Sequence, residues 1–356
     1  MITSQNIGGG IKTTIALMNG LAKEEYKVML LLPKDCAYLK EFDSKIEIQF
    51  FKESPLFSIF NPFKYFRLCK FIKRHYLSLP KETIFFCSDR PALMLALMVS
   101  KKSVIFYVSR GWFYTNLSAR FLRMFLFPKV TTFVGISDKQ VNLMKKYNSK
   151  NSNIYLIQNG IKLPEKQFHT FQRSKVTMST IGGICERKNQ LQCMELINEL
   201  KGDIPIQLYI FGTTFTPIDE AYKLKLEHYI TDNQLENHVF FKGHETSFDV
   251  IYGSSDIVVS TAVEEGFGRT LIEAMAYGIP VIASNKSGGP STIIANGVDG
   301  ILYDSTTQDL VANVIRIIED VNLRNTIIQN ALIKVQNQYS EQTMVHNYSI
   351  LLQNAR

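Results

Sequence analysis

The chain has 356 residues, of which 46% are hydrophobic and 20% charged, and its formal net charge is +8. That length predicts two domains, and that balance excludes a disordered, collagen-like or disulfide-scaffold chain. Residues 1–165 hold 25 Lys+Arg against 11 Asp+Glu, whereas residues 166–356 hold 15 against 21, so the halves differ in sign and are expected to meet different partners. No apolar run approaches the roughly 18 residues of a membrane-spanning helix, and the first ten residues lack the basic start and apolar stretch of a signal peptide. Cys36, Cys69, Cys87, Cys185 and Cys193 are scattered and form no C-x-x-C pair. Structural zinc and a disulfide framework are therefore disfavoured, and a cytoplasmic location is expected.

Short apolar runs alternate with longer amphipathic stretches, the pattern of βα units on parallel sheets. In chain order the first half predicts a helix over 13–23, strands over 28–32, 46–51 and 84–88, and a helix over 91–100. A strand over 104–108, a helix over 116–127, a strand over 132–136, a helix over 138–147 and a strand over 155–158 follow. Only seven mostly polar residues precede Gly8-Gly9-Gly10, where a doubly wound domain normally starts with a buried strand. Either that strand is short or the natural chain starts upstream, and the second reading is preferred. Asn159-Gly160 is a turn signal, and Pro164 keeps the next segment extended.

Beyond a polar linker at 162–175 the pattern predicts strands over 177–181, 207–211, 239–242, 257–260, 280–283 and 300–302. Helices are expected over 189–200, 219–232, 247–252 and 269–277, and three more, over 307–320, 323–337 and 340–353, close the chain. The fold class is α/β, with two Rossmann-like domains facing each other across a cleft. Residues 1–161 form the basic N-terminal domain and 162–338 the second. The C-terminal helix, 339–356, is expected to pack back toward the first.

The most informative stretch is 260–283, S-T-A-V-E-E-G-F-G-R-T-L-I-E-A-M-A-Y-G-I-P-V-I-A. A strand ends at Ser260, Gly266 and Gly268 allow close backbone approach, and a helix opens near Arg269. Its N-terminus offers N–H groups and a positive dipole end, a seat for phosphate. Glu265 precedes the helix and Glu273 lies about a turn inside it, so both can border one ligand, and a carboxylate suits the vicinal hydroxyls of a ribose or hexose. An ordinary βα loop with two unrelated carboxylates is the competing reading.

These residues resemble the signature of the large retaining glycosyltransferase family with the GT-B fold, the glycosyl transferases group 1. There two glutamates flank a Gly-Phe-Gly loop with seven residues between them, followed by an Ala-Met-Ala-x-Gly-x-Pro-Val run, here at 274–281. The resemblance extends to Gly8-Gly9-Gly10, to Asn159-Gly160-Ile161, to Gly183 followed by Arg187-Lys188, and to Gly243-His244.

By that resemblance Glu273 would hold the nucleotide ribose and Glu265 the donor sugar near the reacting carbon. Backbone N–H groups of Arg269, Thr270 and Leu271 would take the diphosphate. Arg187 and Lys188 would neutralise it as it leaves, the electrostatic contribution this chemistry needs most. Gly9, Gly10, Gly183, His244, Gly266, Phe267 and Gly268 complete the implied donor site. The resemblance implies retention through a front-face, oxocarbenium-like displacement without a metal or other cofactor. The sequence agrees by showing no D-x-D and no H-x-x-x-H.

Three departures stand out. Where the family carries a histidine after an N-terminal strand, this chain has Ser109-Arg110-Gly111-Trp112, and Arg110 is expected to supply the charged contact instead. Ser291-Thr292 stand where a glutamate usually follows Gly288-Gly289-Pro290. Glu264 doubles the signature glutamate, and Glu265 is taken as the functional one because it directly precedes Gly-Phe-Gly.

Between Phe60 and Arg74, phenylalanines 60, 63, 66 and 71 interleave with Lys64, Arg67, Lys70 and Lys73, and a second such stretch runs from Trp112 through Arg120 and Arg123 to Phe127. An anionic membrane surface and a buried aromatic stripe with a solvated basic face are both open readings. Single-stranded nucleic acid is a weaker third, with no recognised module to support it. The expected activity is transfer of a sugar from a nucleotide-diphosphate sugar, UDP favoured over GDP, to a glycan or lipid-linked acceptor. Cell-surface polysaccharide or lipopolysaccharide synthesis, peripheral to the inner face of the plasma membrane, is the expected setting. A nucleotide-sugar epimerase of the same fold and a non-catalytic binding member are the alternatives.

Overall fold

The structure is a computed structural model that describes residues 9–34, 36, 38–51, 70, 83–88, 92–93, 96–97, 105–109, 127–147, 153–165, 171 and 175–354. The chain divides into two units, residues 1–161 with 340–356 and residues 162–339. The C-terminal helix thus belongs to the first unit, and the division falls at 339/340.

In the first unit, α1 spans Gly9–Lys23, and β1 (Met29–Pro33) pairs in parallel with β2 (Glu47–Phe51). A second parallel sheet runs in the order β3 (Phe85–Cys87), β4 (Ile105–Ser109), β5 (Thr132–Gly135), β6 (Asn153–Leu156), with α2 at Asp138–Tyr147. Two expectations shift here. Helix α1 begins four residues earlier than predicted, so Gly9 and Gly10 form its first turn rather than a loop. The Thr13 and Thr14 hydroxyls donate to the Gly9 and Gly10 carbonyls, each at 3.0 Å, which ties that turn to the next. Strand β6 starts two residues early because its register is set by Thr132 opposite Asn153. The predicted helix 116–127 lies outside the described residues save Phe127.

Helix α10 (Glu341–Gln353) packs on α1. A Cβ at Gly20 would sit 2.2 Å from Val345 Cγ2, so any larger residue there would force Val345 to shift. The Tyr26 hydroxyl lies 3.0 Å from Ser349 Oγ at the same seam.

The second unit carries one six-stranded, all-parallel sheet. Its order is β12 (Ile301–Tyr303), β11 (Val281–Ser284), β10 (Ile257–Ser260), β7 (Val176–Ile181), β8 (Ile206–Phe211), β9 (Val239–Gly243). Strands β7 and β11 are buried along almost their whole length, as expected of central parallel strands with both faces covered. Helices α3 (Gln190–Leu200), α4 (Pro217–Asp232), α8 (Thr307–Glu319) and α9 (Val321–Gln338) contribute to the core with Met178, Leu208, Ile210, Ile257, Val259 and Ile282. Each fully buried Leu, Ile or Val of that cluster contributes about 1.5–3 kcal/mol. Two further helices, α5 (Phe248–Gly253) and α6 (Arg269–Ala276), follow β9 and β10, and a short α7 (Pro290–Ile293) was not predicted.

The largest boundary differences in this unit, two residues each, are the starts of α4, at Pro217 rather than 219, and of α9, at Val321 rather than 323. Thr216 caps α4, accepting the Asp219 N–H, while the Asp219 carboxylate accepts the Thr216 N–H. This capping box, with proline at the first helical position, gives the turn a start that periodicity alone does not reveal. Among the described residues, no helix is long and apolar enough to cross a membrane.

Candidate functional site

The sheet order of the second unit fixes where a site can form. The chain runs outward from β7 through β8 to β9, then crosses back to lay β10 on the other side of β7. In open parallel sheets the crevice at the carboxyl ends of the two strands flanking that reversal is where ligands bind. Here the loop after β7 holds Arg187 and Lys188, and the loop after β10 holds Glu264, Glu265 and the Gly-Phe-Gly sequence.

The glycines at the ends of β7, β8 and β9 let the loops after these three strands lie side by side. Gly182 N–H donates to Phe211 O at 2.9 Å, and Gly212 N–H donates to Gly243 O at 2.8 Å. At Gly212 φ is +147°, and an added Cβ would fall 1.8 Å from the Gly182 carbonyl oxygen, so the approach is closed to any other residue. Gly183 gives its carbonyl to Gln190 Nε2 at 2.9 Å, and the exposed Phe215 ring lies over its Cα.

Arg187 and Lys188 sit on a single 3-10 turn, Glu186–Lys188, that ends at Asn189 in the left-handed region, φ +50°. The turn is tied across 72 and 73 residues of sequence to buried Thr261, whose hydroxyl lies 2.8 Å from Asn189 O and 3.1 Å from Lys188 O. Val263 N–H donates to Arg187 O at 3.0 Å, and Arg187 Nη1 donates to Glu264 O at 2.8 Å. The Lys188 ammonium then pairs with the Glu265 carboxylate, both side chains being less than one-fifth exposed. Glu265 is itself clasped by the turn 287–289, its N–H donating to Ser287 O and its carbonyl accepting the Gly289 N–H, each at 2.9 Å.

Helix α6 begins at Gly268, which has φ +101° and gives no side-chain cap, and its first turn carries no acidic residue. An uncapped helix start with Arg269 at the first position concentrates positive charge where an anion would be favoured. One of the three expected amides is already used, since Leu271 N–H donates to Gly268 O at 2.9 Å, closing the tight first turn. Phe267 is also corrected: its side chain is buried and packs edge-on against Tyr339 at 6.0 Å, so it supports the loop from within.

Glu273 is buried, and both its oxygens have protein partners. Arg269 Nε donates to Oε1 at 2.6 Å, and the fully buried Tyr252 hydroxyl donates to Oε2 at 2.8 Å. Burial, reinforced by the Glu273 charge, pushes the Tyr252 hydroxyl well above the ordinary tyrosine range, so it remains a donor. No residue pattern points to Tyr252 beyond the rule that a buried tyrosine needs a partner for its hydroxyl.

The remaining expected residues are more dispersed. His244 is exposed directly after β9, at the same end of the sheet. Gly266 is half-buried within the loop, and Thr270 is the second residue of α6. Ser291 and Thr292 turn their hydroxyls back onto the Gly288 and Gly289 carbonyls at 2.8 and 2.7 Å, bracing the turn that holds Glu265. Gly9 and Gly10 belong to the first unit. Arg110 and, apart from Lys70, the segment from Phe60 to Arg74 lie outside the described residues.

Comparison with known proteins accords with this geometry. Residues 162–333, nearly the whole second unit, match the family Glycosyl transferases group 1. Over 227 residues the chain is 26% identical to the poly(ribitol-phosphate) alpha-N-acetylglucosaminyltransferase of Staphylococcus aureus (strain COL), covering 62% of this chain and 43% of that protein. Over 174 residues it is 25% identical to the poly(glycerol-phosphate) alpha-glucosyltransferase of Bacillus subtilis (strain 168), covering 48% of this chain and 25% of that protein. The chain thus matches less than half the length of these two relatives. The Anabaena protein HepE, solved in complex with UDP and glucose, superposes over 99% of this chain and 98% of its own with a TM-score of 0.83 at 17% identity. The chain has the GT-B fold, and its second unit is similar to the glycosyl transferases group 1 family over residues 162–333.

Proposed function

We propose that the chain is a retaining glycosyltransferase that moves a sugar from a nucleotide-diphosphate sugar, UDP in preference to GDP, to a glycan or lipid-linked glycan acceptor. The observation that carries this reading is the pairing of Lys188 with Glu265, which joins a cation and a carboxylate from the two loops flanking the sheet reversal. A diphosphate drawn to Lys188, Arg187 and the α6 N-terminus would compete with Glu265 for the ammonium. The released carboxylate would then accept hydroxyls of the donor sugar. As the glycosidic bond to the diphosphate lengthens, charge builds on the leaving oxygen, and the lysine and helix end stabilise it without reorganisation. In this reading they perform the charge neutralisation that a divalent cation performs elsewhere, so transfer is metal-independent. The acceptor hydroxyl attacks from the face the diphosphate leaves and gives its proton to the departing diphosphate oxygen, and no protein nucleophile is assigned.

The relatives named for poly(ribitol-phosphate) and poly(glycerol-phosphate) glycosylation support synthesis of a bacterial cell-surface polymer as the setting. The cationic and aromatic residues between Phe60 and Arg74 support a peripheral contact with anionic membrane. Co-sedimentation with anionic vesicles in low salt tests it, and protein left in the supernatant would refute it.

The decisive experiment is calorimetric titration with UDP and with GDP in excess EDTA, repeated on Lys188→Ala. Binding of one nucleotide that survives EDTA and is lost in the variant is expected. Binding that requires a metal would overturn the metal-independent reading, and binding unchanged in Lys188→Ala would overturn the assigned diphosphate site.

A further inference from the structure

Resting on that reading of Glu273 as the ribose-facing carboxylate, the geometry points to Tyr252 as a positioning residue for nucleotide recognition. We propose that its hydroxyl fixes the Glu273 carboxylate so that both oxygens present acceptor positions to the vicinal hydroxyls of a ribose.

A carboxylate offers about four acceptor positions, two on each oxygen. Arg269 Nε occupies one on Oε1 and the Tyr252 hydroxyl one on Oε2, so the group is gripped through both atoms. Arg269 alone would leave the second oxygen able to swing about the terminal torsion, which is broad for a glutamate. With the hydroxyl in place the plane of the carboxylate is set from two directions.

The grip is rigid at its other end. Tyr252 is fully buried on α5, and its ring packs on Tyr277 at 5.1 Å and edge-on against Phe248 at 5.9 Å. The hydroxyl also has a neutral acceptor in reach, the Thr270 carbonyl at 3.4 Å, yet it lies closer to the carboxylate. A tyrosine serving only to fill the core could satisfy its hydroxyl there. Its aim at Glu273 is the arrangement that a bidentate hydroxyl site needs.

The helix itself does not account for the arrangement. An arginine placed four residues before a glutamate is the less favourable order of charge along a helix, and Arg269 adds positive charge to the positive end. The pair therefore makes sense as part of a binding surface in which Arg269 and Tyr252 hold the carboxylate between them.

The test compares UDP and GDP with their 2′,3′-dideoxy counterparts by titration calorimetry on unaltered protein, Tyr252→Phe, Glu273→Gln and Tyr277→Phe. Unaltered protein should favour the ribose form of the nucleotide it binds. Tyr252→Phe should lose about tenfold of that preference, the size expected for one hydrogen bond to a charged acceptor, while its affinity for the dideoxy form stays unchanged. Glu273→Gln should lose at least as much. Tyr277→Phe removes a hydroxyl from the same aromatic cluster, one that donates to Asp249 at 2.7 Å, and should retain the preference. An equal fall in affinity for both forms in Tyr252→Phe would show a merely structural role and overturn the proposal. A preference lost in Glu273→Gln but kept in Tyr252→Phe would overturn the role of Tyr252 alone. Equal binding of ribose and dideoxy forms by unaltered protein would overturn the reading of Glu273, and this proposal with it.

Discussion

The two signature glutamates lie eight positions apart on one loop and helix, yet they are held in opposite ways. Glu265 faces a lysine brought from 77 residues earlier, across the boundary between two strands of the sheet. Glu273 is held within its own helix by Arg269, one turn away, and by Tyr252 from the preceding helix. The first pair exists only if β7 and β10 are neighbours and their loops are stitched together. The second depends on local helix geometry and one aromatic contact. A substrate that displaces Glu265 from Lys188 therefore acts on the joint between two halves of the sheet, whereas one that engages Glu273 meets a carboxylate already fixed.

The largest disruption of that contrast should come from Gly212→Ala. The new methyl group would fall on the Gly182 carbonyl at a backbone angle that side chains rarely adopt, forcing apart the loops behind Lys188. A loss of more than about 4 kcal/mol is expected, enough to unfold a marginally stable unit, and thermal melting would detect it. A variant with unchanged melting would mean that the loops need not lie so close.

Thr261→Val sharpens the contrast more gently. It removes the hydroxyl that lies against both the Lys188 and Asn189 carbonyls. A loss of about 1–3 kcal/mol is expected in denaturant unfolding, together with weaker nucleotide binding. Binding that depends on the Glu273 side should keep its ribose preference, since α6 and Tyr252 are untouched. Loss of that preference would show that the two regions are coupled rather than separate.

The smallest expected effect is alkaline. Burial pushes the Cys193 thiol up from 9.0 to about 12 and the Tyr222 hydroxyl up from 10.0 to about 12, and it raises Tyr252 as well. In each case the unfolded chain releases its proton first, so the native state binds more protons above pH 9 and stability must fall as pH rises. By pH 10 the buried thiol alone costs about 1 kcal/mol, with the tyrosines adding to the slope between pH 10 and 12. Melting curves from pH 7 to 11 should be flat to about pH 9 and then decline. In Cys193→Ser the onset should move toward the tyrosine range.

Much of this architecture was legible in the sequence because it rests on local rules. The alternation of apolar runs and amphipathic stretches located all six strands of the second unit, with boundaries differing by at most about one residue, since buried parallel strands are short apolar runs bounded by glycine. The differences arose where a local detail overrode periodicity. The capping box moved α4 to Pro217, and hydroxyls returning to the Gly9 and Gly10 carbonyls accompany the extension of α1 through an expected loop.

By itself, the sequence determined that this chain is an α/β protein of two units with Arg187, Lys188, Glu265 and Glu273 on loops and a helix start, because residue type and spacing along one element are chemical facts before folding. Tertiary structure alone decided that Lys188 meets Glu265, that Phe267 turns inward to Tyr339, and that Tyr252 reaches Glu273. These are contacts between segments whose separation in the chain carries no distance information. Only the order of strands in a folded sheet, and the packing of helices upon it, converts positions far apart in sequence into groups within hydrogen-bonding reach.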